Sequence, residues 1–331
     1  MRVSVAVATR NGAPFVRDQL ASILDQTRLP DEIVVSDDGS DDDTVAIVRS
    51  TLARGGGGLG VEVRIFENVA PLGVTANFQK ALEACSGDII VLSDQDDIWK
   101  EDRVARAVTV FEGDSSAVLV VCDADLIDGD AAPLGDTLFG ALGLSTIERQ
   151  ALAGERTFEA LMRRNLVTGA TTALRRSLVV DATPFPSAWV HDEWLAVIAA
   201  AQGGVRMIPV ALVGYRQHGA NEIGVRRPGL RDRVARLAAN RVERNSRMFA
   251  RAQALNDRFA LTARAYQPAV IDAVSAKLKH EGMRHSLPAA RLSRVIPVAR
   301  EAARGGYRRS GRGAPDIFRD LVQPAREAAA G

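Results

Sequence analysis

Five short apolar runs, at residues 2–8, 32–36, 62–66, 88–92 and 117–122, alternate with segments of helical periodicity. That alternation predicts an α/β layer with a mainly parallel central sheet, because parallel strands need crossover helices. The run at 88–92 is wholly apolar after Asp88, as expected of a central strand covered on both faces. Between the runs, Phe15, Leu20, Ile23 and Leu24 recur at helical spacing over 14–26, and 76–84 and 103–111 also read as helices. Ser40 followed by Asp41, Asp42 and Asp43 reads as a helix start that continues through Val45, Ile47 and Val48: the hydroxyl caps and the carboxylates oppose the helix dipole. The glycine-rich stretch 54–60 reads as a loop.

The chain has 331 residues, 47% of them hydrophobic and 25% charged, enough for one large core or two smaller ones and unlike a disordered polymer. Its net charge of +1 hides a split: from residue 225 onward, 21 Arg and 2 Lys face only 9 acidic residues. After about residue 155 the pattern loosens into a helix at 158–164, a strand at 168–175, a short helix at 194–201 and a strand at 206–215. Beyond it, Leu230, Val234 and Leu237 keep helical spacing, and Pro268, Pro288, Pro297 and Pro315 cut the basic segment into pieces. The expected division is a domain over 1–225 and a basic helical C-terminal extension over 226–331. An Arg-rich segment is either a solvated helical face or a dock for an anionic lipid surface, giving peripheral contact with a membrane. The few aromatic residues scattered among the arginines make no repeating pattern of the kind that stacking on single strands requires, so no nucleic acid partner is expected.

Cys85 and Cys122 form neither a C-x-x-C pair nor a disulfide framework, which fits a reducing compartment. No apolar run approaches the roughly 18–20 residues that span a bilayer, and the N-terminus lacks a signal-peptide layout. The expectation is a cytoplasmic protein, peripheral at the inner membrane face if membrane-bound at all.

Three apolar runs end in polar residues: Thr9-Arg10-Asn11, Ser36-Asp37-Asp38-Gly39 and Ser93-Asp94-Gln95-Asp96-Asp97. In α/β sheets, ligands bind outside the carboxyl ends of the strands, so these segments should share one edge. Three carboxylates within four positions repel one another unless a cation or hydrogen bonds neutralise them. Mg²⁺ and Mn²⁺ take such oxygens and leave positions for phosphate oxygens. The D-x-D spacing of Asp94 and Asp96 sends both side chains to one side of an extended segment. The competing reading is a loop that merely caps the next helix. Arg216, after another strand, can offer charge-assisted hydrogen bonds to phosphate, and His218 can ligate a metal or pair with phosphate, although a lone histidine is usually structural. Gly55, Gly57 and Gly60 spell G-x-G-x-x-G, but after a helix and before a strand, which excludes a dinucleotide site.

Taken together, the three strand ends resemble the glycosyltransferase family 2 domain, of GT-A fold, over residues 1 to about 220. The resemblance implies that Thr9 and Asn11 lie by the nucleotide and that Asp38 contacts the base. It makes Asp94 and Asp96 the D-x-D pair at Mg²⁺ or Mn²⁺, with Asp96 the direct ligand and His218 closing over metal and diphosphate. Gly73 and Asn77, in Pro71-Leu72-Gly73-Val74-Thr75-Ala76-Asn77, match its donor-side loop and helix start. It places a general base at Asp192 in Trp189-Val190-His191-Asp192-Glu193-Trp194, with Glu193 the rival. The other reading of that segment is a capped helix with His191 and the tryptophans as core. The wording of 93–99, with His191-Asp192 and residues 215–219, is most similar to bacterial rhamnosyltransferases of the family, which use dTDP-rhamnose in surface polysaccharide synthesis. Where those often carry Trp after the His-Asp pair, this chain has Glu193. The implied reaction is an inverting transfer from a nucleoside-diphosphate sugar to a saccharide or lipid-linked acceptor. The rivals are a nucleotidyltransferase, whose Gly-rich basic loop after the first strand is missing here, and a non-catalytic protein that binds anionic surfaces.

Overall fold

The computed structural model describes residues 1–154, 156–218, 239–262 and 266–325. Among these, one compact unit comprises 1–157 and 166–218, and a second comprises 158–165 and 239–325. The expected boundary at 225/226 lies outside the described residues, as do Leu230, Val234 and Leu237.

The first unit is built on β1 (Val3–Thr9), β2 (Glu32–Asp37), β3 (Glu62–Glu67) and β4 (Ile89–Ser93), parallel to one another in the spatial order β3-β2-β1-β4. Thr9 is level with Asp37, Asp37 with Glu67, and Val7 with Ser93, so the four carboxyl ends form one edge. Beyond β4 come β8 (Thr172–Arg175) and then β6 (Leu119–Ile127), each antiparallel to its predecessor. β9 (Val205–Arg216) runs parallel to β6, the two-residue β5 (Ile98–Trp99) runs antiparallel to β9, and β7 (Pro133–Thr137) pairs with β6.

Helices cover the sheet with their apolar faces. α1 (Val16–Leu24) buries Val16, Leu20 and Ile23, and α2 (Thr44–Leu59) buries Val48 and Leu52. α3 (Val74–Ala84) buries Phe78, Ala81 and Leu82, and α4 (Arg103–Gly113) buries Val104, Val108 and Phe111. Each of these buried Val, Leu, Ile and Phe side chains contributes roughly 1.5–3 kcal/mol against exposure. The expected glycine loop at 54–60 is instead the last turns of α2, which ends at Leu59 before Gly60 turns the chain with φ 74°. α5 (Leu138–Ala141), α6 (Thr146–Leu152), α8 (Arg176–Ala182) and α9 (His191–Ala201) complete the unit; Ser145 and Glu148 form a capping box on α6. At the amino edge of the sheet, buried Glu32 accepts bonds from Ser86 N at 2.8 Å and from Ser4 and Arg64, so this carboxylate serves the fold.

The second unit is helical, apart from turns: α7 (Thr157–Arg163, save its first residue), α10 (Arg241–Leu261), α11 (Pro268–His285), a 3-10 turn at Leu292–Arg294, α12 (Val295–Ala303), α13 (Gly306–Ser310) and α14 (Ala314–Val322). Asn240 caps α10 by accepting from Val242 N at 3.1 Å. Pro268 and Pro315 sit in the opening turns of α11 and α14, where the missing N–H costs nothing. Leu287, Val298 and Tyr307 form a small apolar cluster with Met283, Ala302, Ile317 and Leu321. Beside it lies an ionic hub. Asp320, fully buried, accepts from Arg284 Nε at 2.7 Å, from the Tyr307 hydroxyl at 2.9 Å and from Arg244. Glu281 takes Arg284 Nη1 at 3.0 Å and Lys277 Nζ at 2.9 Å. No described helix is long and apolar enough to cross a membrane.

Candidate active site

At the carboxyl edge of the parallel strands, side chains lace the loops together. Thr9, buried at the end of β1, donates to Asp37 Oδ2 at 2.8 Å, and Asp37 in turn takes Ser40 N at 2.8 Å and Ser40 Oγ at 2.6 Å. Asn11, at φ 49°, joins the same two loops: its N–H donates to Ser40 Oγ at 2.8 Å and its Oδ1 accepts from Asp41 N at 3.0 Å. Asparagine tolerates that left-handed conformation better than most residues. Gln95 pairs with the backbone of Arg10 in both directions, at 2.8 Å each, and so ties the end of β4 to the end of β1. A Cβ at Gly12 would stand 2.2 Å from Gln95 Oε1, so the clamp requires glycine there.

Asp38, expected beside the base, is buried and shapes the neighbouring loop. Its Oδ1 accepts from Leu72 N at 2.7 Å and Asn68 Nδ2 at 3.0 Å, and its Oδ2 from Gly73 N at 2.9 Å. Gly73 adopts φ 85° immediately before α3. Asn77 is buried; it accepts from Ser36 Oγ at 2.7 Å and donates to Ser36 O at 2.9 Å, pinning the start of α3 to the end of β2.

The acidic loop after β4 is held from β9. Asp96 Oδ2 lies 2.8 Å from His218 Nε2, and the His218 ring stacks on Phe15 at 4.5 Å between centroids. Arg216 is buried; Nε donates to Asp96 O and Nη1 to Gly129 O, both at 2.6 Å, and its guanidinium lies over the Phe15 ring. The side chain expected to reach phosphate therefore fastens the backbone of the acidic loop. Asp97 is buried, with Oδ1 accepting from Arg216 N at 3.1 Å and Oδ2 without a hydrogen-bond partner. Burial, and then the charges of Asp96 and Asp94, push its carboxyl well above the usual carboxylate range.

No group of three or more His, Cys, Asp or Glu is gathered as a metal cage among the described residues. The donors that are present would suit a divalent ion that accepts both oxygen and nitrogen ligands. Asp96 and His218 set a carboxylate oxygen and an imidazole nitrogen side by side, next to a buried and under-bonded Asp97. A cation held by so few protein groups would take its other ligands from a diphosphate and water, as Mg²⁺ commonly does.

α9 brings the remaining carboxylate to this edge. Asp192, in its first turn, is largely buried, with Oδ2 accepting from Gly169 N at 2.9 Å and Oδ1 from Glu193 N at 2.6 Å. Gly169 belongs to the 3-10 turn Gly169–Thr171 that feeds β8, and β8 pairs with β4 through Val91 and Ala173. A Cβ on Gly169 would stand 2.8 Å from His191 Nε2. His191 is a core residue, stacked on Phe78 at 3.9 Å between centroids, with neither ring nitrogen hydrogen-bonded. Burial pushes its pKa down to about 3. Trp194 is buried too, its indole N–H donating to Ala182 O at 2.8 Å.

Tyr215, near the end of β9, is buried in the core of the first unit. Burial raises its phenol pKa, and the charges of Asp94, Asp97, Asp96 and Asp192 add to that rise, so four carboxylates act on one side chain. Sequence reasoning passed over Tyr215, Phe15, Gln95 and Gly169. Phe15 looked like any apolar helix position, and Gly169 carried no local signal.

The profile described as Glycosyl transferase family 2 matches residues 4–177. The chain belongs to that family. A protein of Nostoc sp. named as an uncharacterized glycosyltransferase is 28% identical over 237 residues, 67% of this chain and 66% of that one, so the chain spans about two thirds of its relative's length. The dTDP-rhamnosyl transferase RfbG of Shigella flexneri is 30% identical over 110 residues, 31% of this chain and 35% of that protein. Among solved structures, the mannosyltransferase of Pyrobaculum calidifontis, in complex with GDP-Man and Mn²⁺, aligns with a TM-score of 0.50 at 22% identity, covering 91% of this chain and 75% of that one. That likeness is one of fold. With the family match, it identifies the GT-A fold expected from the sequence.

Proposed function

We propose that this family 2 member is an inverting glycosyltransferase that moves a sugar from a nucleoside-diphosphate donor to a hydroxyl of a saccharide or lipid-linked acceptor. The observation that carries the reading is the placing of acid groups at the carboxyl edge of the sheet: Asp96 beside His218 and the buried Asp97 after β4, and Asp192 bonded to Gly169 N in the turn before β8, which pairs with β4. On this reading Thr9, Asn11, Asp38, Gly73 and Asn77 build the donor side. Thr9 and Asn11 fix the loops that meet the nucleotide, while Asp38 and Asn77 set the Leu72–Gly73 backbone and the start of α3.

Asp192 is the general base. The N–H groups of Gly169 and Glu193 orient its carboxylate, and the start of α9 favours negative charge there. As the acceptor oxygen attacks the anomeric carbon, its proton passes to Asp192 and the bond to the donor diphosphate breaks. Attack from the face opposite the leaving group inverts the anomeric centre. Asp96 and His218, with Asp94 beside them, would hold Mg²⁺ or Mn²⁺, and such an ion supplies charge neutralisation to the departing diphosphate. Arg216 keeps the acidic loop in place through Asp96 O.

Rhamnose is the proposed sugar and surface polysaccharide the proposed destination. Both rest on the wording of the motifs and on the likeness to the Shigella flexneri protein. The test incubates the chain with dTDP-, UDP- and GDP-sugars and Mn²⁺ and follows the products. Release of a nucleoside diphosphate supports the transfer. A chain that leaves these donors intact but releases pyrophosphate from a nucleoside triphosphate and a sugar 1-phosphate would instead be a nucleotidyltransferase.

A further inference from the structure

In the second unit, α14 is turned inside out. Its carboxylates Asp316 and Asp320 are buried, while Ala314, Pro315, Phe318 and Val322 are exposed, Phe318 by 52%. α12 has the same outward apolar habit. Leu292, at the turn before it, and then Val295, Ile296, Ala299 and Ala303 fall on one helical stripe, and all are exposed, Leu292 by 87% and Ile296 by 62%. The two helices lie against each other, and their inner residues Val298, Ala302, Ile317 and Leu321 share one cluster. The outer stripes therefore sit on neighbouring helices with nothing over them among the described residues of the unit.

The surroundings of these stripes carry one sign of charge. Between 288 and 325 the exposed charged side chains are Arg291, Arg300, Arg304, Arg308, Arg309 and Arg312. The acidic residues of the same stretch are withdrawn: Asp316 and Asp320 are buried, and Glu301 bonds to His280 Nδ1 at 2.8 Å. An apolar surface on a folded unit calls for a cover. A second copy of the chain would bring its own arginines against these. A bilayer with anionic headgroups instead accepts the apolar side chains between its headgroups and pairs the arginines with phosphate.

We propose that the face formed by Leu292–Ala303 and α14 docks the protein onto an anionic phospholipid surface, with Leu292, Ile296 and Phe318 inserted and the arginines on the headgroups. This proposal stands apart from the reaction proposed above, and a catalytically inert chain would still test it.

The experiment is flotation of the full chain with vesicles of phosphatidylcholine alone and of phosphatidylcholine mixed with phosphatidylglycerol in equal parts. Binding is expected only to the anionic vesicles and should weaken as salt rises. Removing two rim charges (Arg300→Gln with Arg304→Gln) should lower the partition coefficient about 25-fold, at about fivefold per charge. Ile296→Ser with Phe318→Ser should lower it about tenfold or more per residue. All of these positions are exposed, and an unchanged melting temperature certifies the fold of each variant. Failure of the full chain to float overturns the proposal. So does folded double variants floating like the parent, or a dimer that the Ile296/Phe318 variant dissolves while neither form floats.

Discussion

His191 should make the first unit sensitive to mild acid. Its ring is buried against Phe78 with neither nitrogen bonded, and its pKa is down to about 3 from an ordinary 6.5. The folded-state pKa lies below the unfolded one, so the unfolded chain takes up the proton first. The stability that this neutral ring confers is complete above about pH 6.5 and is lost as pH falls from there toward 3. Between about pH 7.5 and pH 5 the loss comes to about 2 kcal/mol, at 1.36 kcal/mol per unit once past the unfolded pKa. The perturbation is His191→Leu, which removes the proton site at the cost of the aromatic stack, about 1 kcal/mol at every pH. The assay is urea unfolding followed by tryptophan fluorescence. Trp99, Trp189 and Trp194 are the only tryptophans and all belong to the first unit, so the signal reports that unit. The wild type should lose about 2 kcal/mol more than the variant over this interval, because other titrating groups cancel in the difference. A difference no larger than the scatter of the extrapolation would refute a neutral, buried His191.

Asp192→Asn should lower kcat by about 10²–10⁴ while donor binding in calorimetry stays near the wild-type value; a variant with ordinary turnover would remove Asp192 as the base. Asp96→Ala should abolish the Mn²⁺-dependent part of donor binding in the same calorimeter, and unchanged binding would dismiss the metal role. Gly169→Ala should cut kcat far more than KM, because its Cβ would meet His191 and shift the N–H that orients Asp192; equal changes in both would show that the turn yields without moving the base. Arg216→Ala removes this donor from the half-buried carbonyls of Asp96 and Gly129, a cost of about 1–3 kcal/mol for each that water does not reach. A melting temperature lowered by several degrees is expected, and Arg216→Lys should recover only part of it, since one ammonium replaces a two-armed fork.

The alternation of apolar runs and helices was enough to read β1 to β4 and the edge they share, since period and polarity are local properties. The strand expected at 168–175 forms as β8 over its last four residues, but its place between β4 and β6 was not legible. Four residues pairing with strands some fifty and eighty positions away leave no pattern of their own. The glycines of 54–58 were misread as a loop because propensity is a weak prior. They only prolong a helix whose packed turns, around Val48 and Leu52, carry its stability. In the site, acidic residues and His218 announced themselves by type and spacing. What each one holds did not: Asp38 was expected to face a base and Arg216 a phosphate, yet both are also bonded to the backbone of neighbouring loops. Such partners are set by three-dimensional neighbours that residue type cannot name.

Asp320 gives the end of the chain an importance that its position conceals. One carboxylate in the last described helix collects Arg244 from α10, Arg284 from α11 and Tyr307 from α13. A protein shortened ahead of α14 would deprive Arg244 of this carboxylate and leave Arg284 with Glu281 alone; a buried pair broken by losing one partner costs on the order of 3–5 kcal/mol. Trimming to a minimal catalytic fragment should therefore remove the whole helical unit or none of it. A cut through its final helix takes out the keystone and leaves the arch.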